Sequence, residues 1–158
     1  MVEKRGLYSE EQGDATTTGQ VQSKDPSIHW SVQTKEQCYA SLTYPSGNMY
    51  TGYILDGLPS GFGTLLYVNG DTYKGVWKDG KMCGEGTSTT SEGVYTGTWA
   101  NDTMSGYGVC VYSDGACYDG EWVEGERSGH GIYDGADGST YVGEWCKDKM
   151  HGHGLCVY

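Results

Sequence analysis

One sequence pattern occurs five times between residues 50 and 158 and returns every 22 or 23 residues. Each copy begins with Tyr-x-Gly, has an aromatic or apolar residue two positions further on, and continues through a short turn to Gly-x-Gly. The five copies begin at Tyr50, Tyr73, Tyr95, Tyr118 and Tyr141. The Gly-x-Gly pairs are Gly61/Gly63, Gly84/Gly86, Gly106/Gly108, Gly129/Gly131 and Gly152/Gly154. A fixed period of this length predicts a repeat array, in which each copy packs mainly on its neighbours.

The residues of three copies also carry a family resemblance. The segments that begin Tyr73-Lys-Gly-Val-Trp77, Tyr118-Asp-Gly-Glu-Trp122 and Tyr141-Val-Gly-Glu-Trp145 resemble MORN repeats. The resemblance covers roughly two thirds of the chain and is specific, because the motif stays in register five times. It implies protein–protein assembly, often at cytoskeletal or membrane-associated structures, and frequent dimerisation.

The alternation of short strands and turn residues predicts an all-β fold with little helix. Asn69-Gly70 and Asp114-Gly115 are hairpin signals, because Asn, Asp and Gly tolerate the positive φ of tight turns. We therefore predict a single-layer, elongated meander of consecutive β-hairpins. Side chains alternate along a strand, so we expect the Tyr and Trp rings to share one face and to lie over glycines. The same alternation leads us to expect that both glycines of each Gly-x-Gly share a face.

The chain divides into a polar lead-in and the array. Residues 1–27 have no periodicity and are predicted to be a flexible lead-in, and residues 28–158 form the repeat array. Residues 28–49 are predicted to be a degenerate capping repeat, because end repeats are atypical. The clear repeats start near 50, 73, 95, 118 and 141. Two irregularities are visible: Ile54 replaces the usual aromatic residue, and the repeat after residue 73 is one residue short around Thr87–Val94.

Composition limits the classes of partner. The hydrophobic content is 36%, with 27 Gly, 14 Tyr, 5 Trp and a single Phe, which suits a thin sheet with an aromatic core. The formal net charge of −11 argues against nucleic acid as the main ligand and weakens attraction to anionic lipid. Neither a signal peptide nor a membrane span is apparent, so we expect a cytoplasmic protein. The resemblance to MORN repeats implies an association with the cytoskeleton.

No set of residues predicts catalysis, a cofactor or a metal site. Gly-x-Gly never extends to a dinucleotide motif between a strand and a helix. His151 and His153 alternate onto one side, but a third ligand is not evident. We therefore predict a non-enzymatic protein.

The predicted aromatic ladder is either core or a binding groove. A single-layer sheet does not cover its own aromatic face, so we expect a partly exposed strip that binds a partner helix or extended peptide. The predicted partner-binding residues are Tyr73, Trp77, Tyr95, Trp99, Tyr118, Trp122, Tyr141 and Trp145. The lead-in, residues 1–27, is another candidate occupant of that strip.

Acidic residues and the last strand supply two further candidate surfaces. Asp119, Glu121, Glu124 and Glu126 form either a solvated surface or a docking surface for a basic or amphipathic segment. Gly154, Leu155, Val157 and Tyr158 lie on a strand edge at which the chain stops. That edge is predicted either to mediate homodimerisation or to mark a fragment of a longer array.

These observations favour a protein–protein interaction scaffold. Two alternatives stay open from the sequence. One is membrane-surface recruitment through phosphoinositides, which the resemblance allows and the net charge disfavours. The other is a regulatory repeat domain of a longer enzyme, such as a lipid kinase or a methyltransferase.

Overall fold

The computed structural model describes residues 36–158, which fold into one antiparallel sheet of eleven strands. Each strand pairs with the strands before and after it in the chain, so the predicted meander of hairpins is confirmed. The strands are β1 Cys38–Thr43, β2 Met49–Leu55, β3 Leu58–Leu66, β4 Thr72–Lys78, β5 Lys81–Thr90, β6 Gly93–Ala100, β7 Thr103–Tyr112, β8 Cys117–Val123, β9 Glu126–Asp134, β10 Thr140–Cys146 and β11 Lys149–Val157. Ten strand spacings give the sheet a length of about 48 Å.

The lead-in of residues 1–27 and the first part of the predicted capping repeat, residues 28–35, lie outside the described residues. The remainder of that repeat contains β1, which pairs with β2 from Cys38 opposite Ile54 to Thr43 opposite Met49. Across residues 36–158 the structure contains no helix of the length and hydropathy needed to span a membrane.

The two faces of the sheet differ because side chains alternate along each strand. In β4, Tyr73, Gly75 and Trp77 are buried, whereas the residues between them are at least partly exposed. The same alternation recurs in β2, with Ile54 in place of Trp, and in β8; in β6 and β10 it recurs with Trp99 and Gly143 only partly buried. We call the side with these tyrosines and tryptophans the ring face and the other side the opposite face. The buried residues of the ring face form the core of this single-layer fold.

Two kinds of turn join the strands. Within each repeat a two-residue turn places both residues at positive φ, as at Asp79 (51°) and Gly80 (78°), which is the conformation of a type I′ turn. Between repeats the loop usually has three residues, as at residues 68–70, and the Gly70 N–H donates to the Tyr67 carbonyl at 3.0 Å. The two-residue turn after β5 is shorter, because Thr90 pairs directly with Gly93.

The expectation that both glycines of each Gly-x-Gly share a face is wrong. A Cβ on Gly86 would collide with the Tyr73 ring on the ring face, but a Cβ on Gly84 would meet Val76 on the opposite face. The reason is a β-bulge: Gly75 pairs with Gly86, but the next residue, Val76, pairs with Cys83. Gly84 lies in the bulge with φ of 58°, and equivalent bulges occur in the other repeats.

The bulges and the rings together stabilise the core. The Tyr118 hydroxyl donates to the Glu121 carbonyl beside the bulge at 3.0 Å, and the Trp122 indole N–H donates to the Gly108 carbonyl at 3.0 Å. Equivalent bonds recur along the array. Each of these tyrosine hydroxyls and indole N–H groups therefore donates to a backbone carbonyl of the sheet. Successive Tyr and Trp rings meet edge to face with centroids 5.0 to 5.3 Å apart.

Candidate protein-binding groove

The predicted partner-binding aromatics lie in the core rather than in an exposed strip. Tyr73, Trp77, Tyr95, Tyr118, Trp122, Tyr141 and Trp145 all have at most 6% of their surface exposed. The expected partial exposure is therefore wrong for these seven residues. The physical reason is that each tyrosine ring lies against bare glycine backbone, and the tryptophan rings pack edge to face between the tyrosine rings. Their contribution to partner binding stays a prediction.

The eighth residue, Trp99, is the exception among the four tryptophans of residues 36–158, because its ring is partly exposed. It packs against both halves of the core, one around Tyr73 and the other around Tyr95 and Tyr118. Its indole N–H still donates to the Gly86 carbonyl at 3.2 Å, so the ring is held in the same position as its equivalents.

Small side chains on β5 account for this exposure. Ser88 and Thr90 occupy the ring-face positions that hold Leu65 and Tyr67 one repeat earlier. Tyr67 packs against the core, as Tyr112 does one repeat later. A serine and a threonine do not cover the neighbouring ring, so a depression forms beside Trp99.

The depression is a groove of about 520 Å³ that is open to solvent. It is lined by Ser88, Thr90, Glu92, Gly93, Tyr95, Trp99, Met104, Cys110, Tyr112, Trp122, Gly125, Arg127 and Asp148. Thr90 and Glu92 lie at the sheet margin that carries the loops between repeats, whereas Gly125 and Asp148 lie in type I′ turns at the other margin. The groove, which we call the Trp99 groove, therefore crosses the full width of the sheet.

Arg127 forms one end of the Trp99 groove. Its guanidinium carbon lies 4.6 Å from the Trp145 ring centroid and 5.6 Å from that of Tyr133. Its Nε donates to Asp148 Oδ1 at 3.0 Å, and a terminal nitrogen donates to the Asp148 carbonyl at 3.0 Å. The positive charge at this end of the groove is thus paired with a carboxylate.

Glu92 lies at the other end, on the turn after β5. Its backbone carbonyl accepts a hydrogen bond from the Ser113 N–H at 2.7 Å, which fixes the turn beside β7. Burial raises the pKa of the Tyr112 hydroxyl and the Cys110 thiol above their ordinary values, so both are neutral at pH 7. The charges that line the groove are therefore those of Glu92, Arg127 and Asp148, with a sum of −1.

The predicted acidic docking residues do not line this groove. Asp119 and Glu121 flank buried residues of β8 and so point to the opposite face. Asp119 accepts a hydrogen bond from the Tyr107 hydroxyl, and Glu121 accepts one from the His130 N–H at 3.0 Å. Glu124 is exposed in a type I′ turn, and Glu126 is exposed at the start of β9. Their use as a docking surface stays a prediction.

The predicted self-association residues lie on β11, at one end of the described sheet. Gly154, Leu155 and Val157 are exposed along the strand, and Tyr158 follows it with 99% of its surface exposed. Within residues 36–158, β11 pairs with β10 alone. Self-association at this strand stays a prediction. His151 and His153 belong to no group of three or more metal-ligating side chains in the described part of the chain.

Sequence reasoning missed Ser88, Thr90, Glu92 and Arg127 as groove residues. Thr90 gave a signal, because it interrupts the tyrosines that close the preceding and following repeats, Tyr67 and Tyr112. Arg127 gave a weaker signal, since the equivalent position is Met in three other repeats. Glu92 gave no signal, because an acidic residue in a turn is ordinary.

The eleven-stranded hairpin meander and its recurring Tyr–Gly–Trp contacts define a β-hairpin repeat protein. The MORN repeat profile matches residues 50–72, 73–93, 95–117, 118–140 and 141–158, which is more than half of the chain, so the chain belongs to the MORN repeat family. This confirms the resemblance found in the sequence. The second match ends at residue 93, in agreement with the shorter turn after β5.

Several solved structures are similar to this chain. The chain is similar to the SAS-4 (dCPAP) TCP domain of Drosophila melanogaster in complex with a proline-rich motif of Ana2 (dSTIL). The two share 15% sequence identity with a TM-score of 0.44, over 78% of this chain and 73% of that one. No curated protein matches the chain in sequence.

Proposed function

We propose that the protein is a non-enzymatic interaction scaffold that binds a segment of a partner protein in the Trp99 groove. The observation that carries this proposal is the partly exposed Trp99 ring within a ladder whose other tryptophans are buried. Membership in the MORN repeat family supports a non-catalytic interaction role. An uncovered aromatic side chain in a concave, largely apolar site is the usual centre of a protein interface.

The form of the Trp99 groove suits a protein segment. The groove is open along its length and reaches both margins of the sheet, so a chain can enter at one margin and leave at the other. Aromatic and aliphatic walls from Trp99, Tyr112 and Met104 supply apolar contact, and polar groups at the two ends fix orientation. An extended peptide or one face of a helix fits this layout.

Three further features belong to the same proposal. We place the scaffold in the cytoplasm, in an assembly associated with the cytoskeleton, as its family relationship suggests. The acidic residues Asp119, Glu121, Glu124 and Glu126 add a second, charged docking surface on the opposite face and its margin. Strand β11 offers backbone groups for pairing with a second copy of the chain.

Photo-crosslinking with a matched pair of variants tests the central claim. A photo-reactive amino acid at Ser113, an exposed residue beside the Trp99 groove, is introduced into the full chain in its native cells. We expect a crosslinked protein that is lost when Thr90→Tyr fills the groove. Thr89→Tyr adds the same ring to the opposite face and should leave the crosslink intact. A crosslink that survives Thr90→Tyr unchanged would place the partner elsewhere.

A further inference from the structure

We propose that residues 28–32 pair with the outer edge of β1, seat Trp30 beside the Tyr39 ring and so close this end of the array to other chains. The segment lies outside the described residues. The inference is carried by β1, by β2 and by the register of the repeats, and it does not depend on the Trp99 groove, which lies on the ring face.

Strand β1 combines an open edge with an exposed ring. Within residues 36–158, β1 pairs with β2 alone. Tyr39 lies opposite Tyr53, and the two rings meet edge to face on the opposite face with centroids 5.4 Å apart. Tyr39 still has 65% of its surface exposed, because among the described strands none lies on its other side. An open edge beside an exposed ring is a surface that natural sheets usually cover.

The repeat register assigns the apolar residues of the segment to the opposite face. Val76 follows Tyr53 by 23 residues, and both side chains lie on the opposite face, between buried neighbours. One period of 23 residues before Tyr53 is Trp30. Ile28 and Val32 lie two positions to either side of Trp30, so in a strand they share its face.

The segment is inverted relative to the clear repeats. Its ring-face positions hold Ser27, His29 and Ser31, where the clear repeats have Tyr, Gly and an aromatic or apolar residue. Apolar side chains favour buried positions, so the face that this segment buries is the one that carries Tyr39. The exposed Tyr39 and Tyr53 rings account for this inversion, because they offer apolar contact on the face that is otherwise solvated.

The segment reaches Tyr39 without strain. Trp30 precedes Glu36, the first described residue, by six residues, which span at most about 20 Å. The chain is held at this end of the sheet, since Gln37 Nε2 donates to the Ser60 carbonyl at 2.6 Å. A hairpin loop of two or four residues puts Trp30 diagonal to Tyr39 or directly opposite it, with Cβ atoms about 5–8 Å apart.

The consequence concerns assembly and rests on the self-association at β11 proposed above. Pairing of β11 with β1 of the next copy would extend into an open filament, whereas pairing of β11 with itself closes as a two-fold dimer. With the outer edge of β1 covered, the strand pairing at β11 leads to the closed dimer.

Fluorine NMR on the full chain tests the contact. The chain is labelled with 5-fluorotryptophan, and the Trp30 signal is assigned by its loss in Trp30→Phe. A soluble gadolinium complex broadens the signals of exposed fluorine atoms. We expect the broadening of Trp30 to be at least about twofold weaker than in a free peptide of residues 24–35, because ring contacts remove much of the indole from solvent.

A pair of tyrosine variants locates the contact. Tyr39→Ser should raise the broadening of Trp30 towards that of the peptide. Tyr107→Ser, which removes an exposed ring from the same face of β7, should not. The signals of the other four tryptophans report that each variant is folded.

Hydrogen exchange tests the pairing separately. The β1 amides that do not bond to β2 should be protected in the wild-type chain, and Trp30→Ser should speed their exchange at least about tenfold, because the added strand opens. Tyr8→Ser removes an aromatic residue from the lead-in and should leave the exchange unchanged.

Each part of the inference has its own contrary result. Broadening of Trp30 equal to that in the peptide, or unchanged in Tyr39→Ser, would overturn the contact. Fast exchange of the outward β1 amides in the wild-type chain would overturn the pairing. Neither result bears on the Trp99 groove, which the crosslink from Ser113 tests separately.

Discussion

The Tyr118 ring occupies the space that a side chain on Gly131 would need. A Cβ built on Gly131 would lie less than 3.0 Å from three atoms of that ring. The hydroxyl of the same tyrosine donates to the Glu121 carbonyl, so the ring is held at both ends and does not swing away. The equivalent glycines of the other repeats meet their tyrosines in the same way. Glycine at this position is therefore a packing requirement and not a flexible element.

This contact predicts that Gly131→Ala is strongly destabilising. We expect a loss of about 2–3 kcal/mol in the free energy of unfolding, because a buried, hydrogen-bonded ring must be displaced. Urea unfolding followed by tryptophan fluorescence measures it. Gly115→Ala is the control: Gly115 has φ of 93° and open space around it, so only backbone strain of about 1 kcal/mol is expected. Equal effects of the two changes would argue against ring packing as the cause.

A second prediction concerns the stability of the repeat that begins at Tyr73, in which Thr90 replaces the closing tyrosine. Thr90→Tyr restores the residue found at Tyr67 and Tyr112, and we expect a gain of about 0.5–1.5 kcal/mol from the added aromatic contact. Thermal unfolding should shift upward by a few degrees. Acrylamide should quench the fluorescence of Trp99 less. Thr89→Tyr, on the opposite face, should give neither change, and a gain of the same size there would refute the explanation.

A third prediction separates ring packing from charge at Arg127. Arg127→Ala should cost about 1–2 kcal/mol, because it removes the stem and guanidinium that cover Trp145 and Tyr133. Arg127→Met should cost less than about half of that, since Met104 packs on the core at the equivalent position.

Asp148→Asn is the control for charge. It keeps an acceptor and tolerates the positive φ of 63°, and half of the Asp148 side chain is exposed, so we expect a loss below about 0.5 kcal/mol. Urea unfolding at low salt and at about 1 M NaCl measures how much of this loss in stability is electrostatic and therefore screened by salt. A cost for Asp148→Asn that equals the cost for Arg127→Ala would show that the ion pair dominates.

A fourth prediction concerns alkaline pH. Burial raises the pKa of Tyr50, Tyr95 and Tyr118 from an ordinary value of 10.0 to about 12. The unfolded chain therefore releases these protons first. Their stabilisation is complete below pH 10 and is lost as the pH rises from 10 to 12, with a slope of up to about 1.4 kcal/mol per pH unit for each tyrosine.

Urea unfolding at about pH 8, 10 and 11 measures this slope. Tyr118→Phe lowers the stability at every pH by removing a hydrogen bond. It should also make the decrease of the unfolding free energy with pH above pH 10 less steep, by up to about 1.4 kcal/mol per pH unit, which corresponds to one proton. An unchanged slope would mean that the Tyr118 hydroxyl does not titrate with unfolding.

The sequence predicted the meander of hairpins because its period, turn residues and alternation all specify the same elements. It also predicted that rings lie over glycines, as Tyr73 does over Gly86. It did not predict the bulge at Gly84. A sequence-based prediction assumes that side chains alternate strictly between the two faces. Only the backbone pairing shows that two residues of β5 have no partner on β4 and break this alternation.

The site was harder to predict than the fold. The periodic aromatics were the strongest signal in the sequence, and we predicted that they form a partly exposed binding strip. The burial of Trp77 and Trp122 shows instead that the repeated rings form the core. The Trp99 groove arises from residues that break the repetition, Ser88 and Thr90. Their significance depends on which ring they leave uncovered, and that is a property of packing between strands.

The shorter turn at Thr90–Gly93 also makes the array asymmetric along its length. A perfectly periodic surface offers several equivalent binding sites to a partner that recognises one repeat, so the partner can bind at any of them. The omitted residue removes this equivalence, because it makes the turn between Thr90 and Gly93 unlike the corresponding turns on either side. Under the proposed function, this asymmetry positions a partner at one defined repeat of the described array.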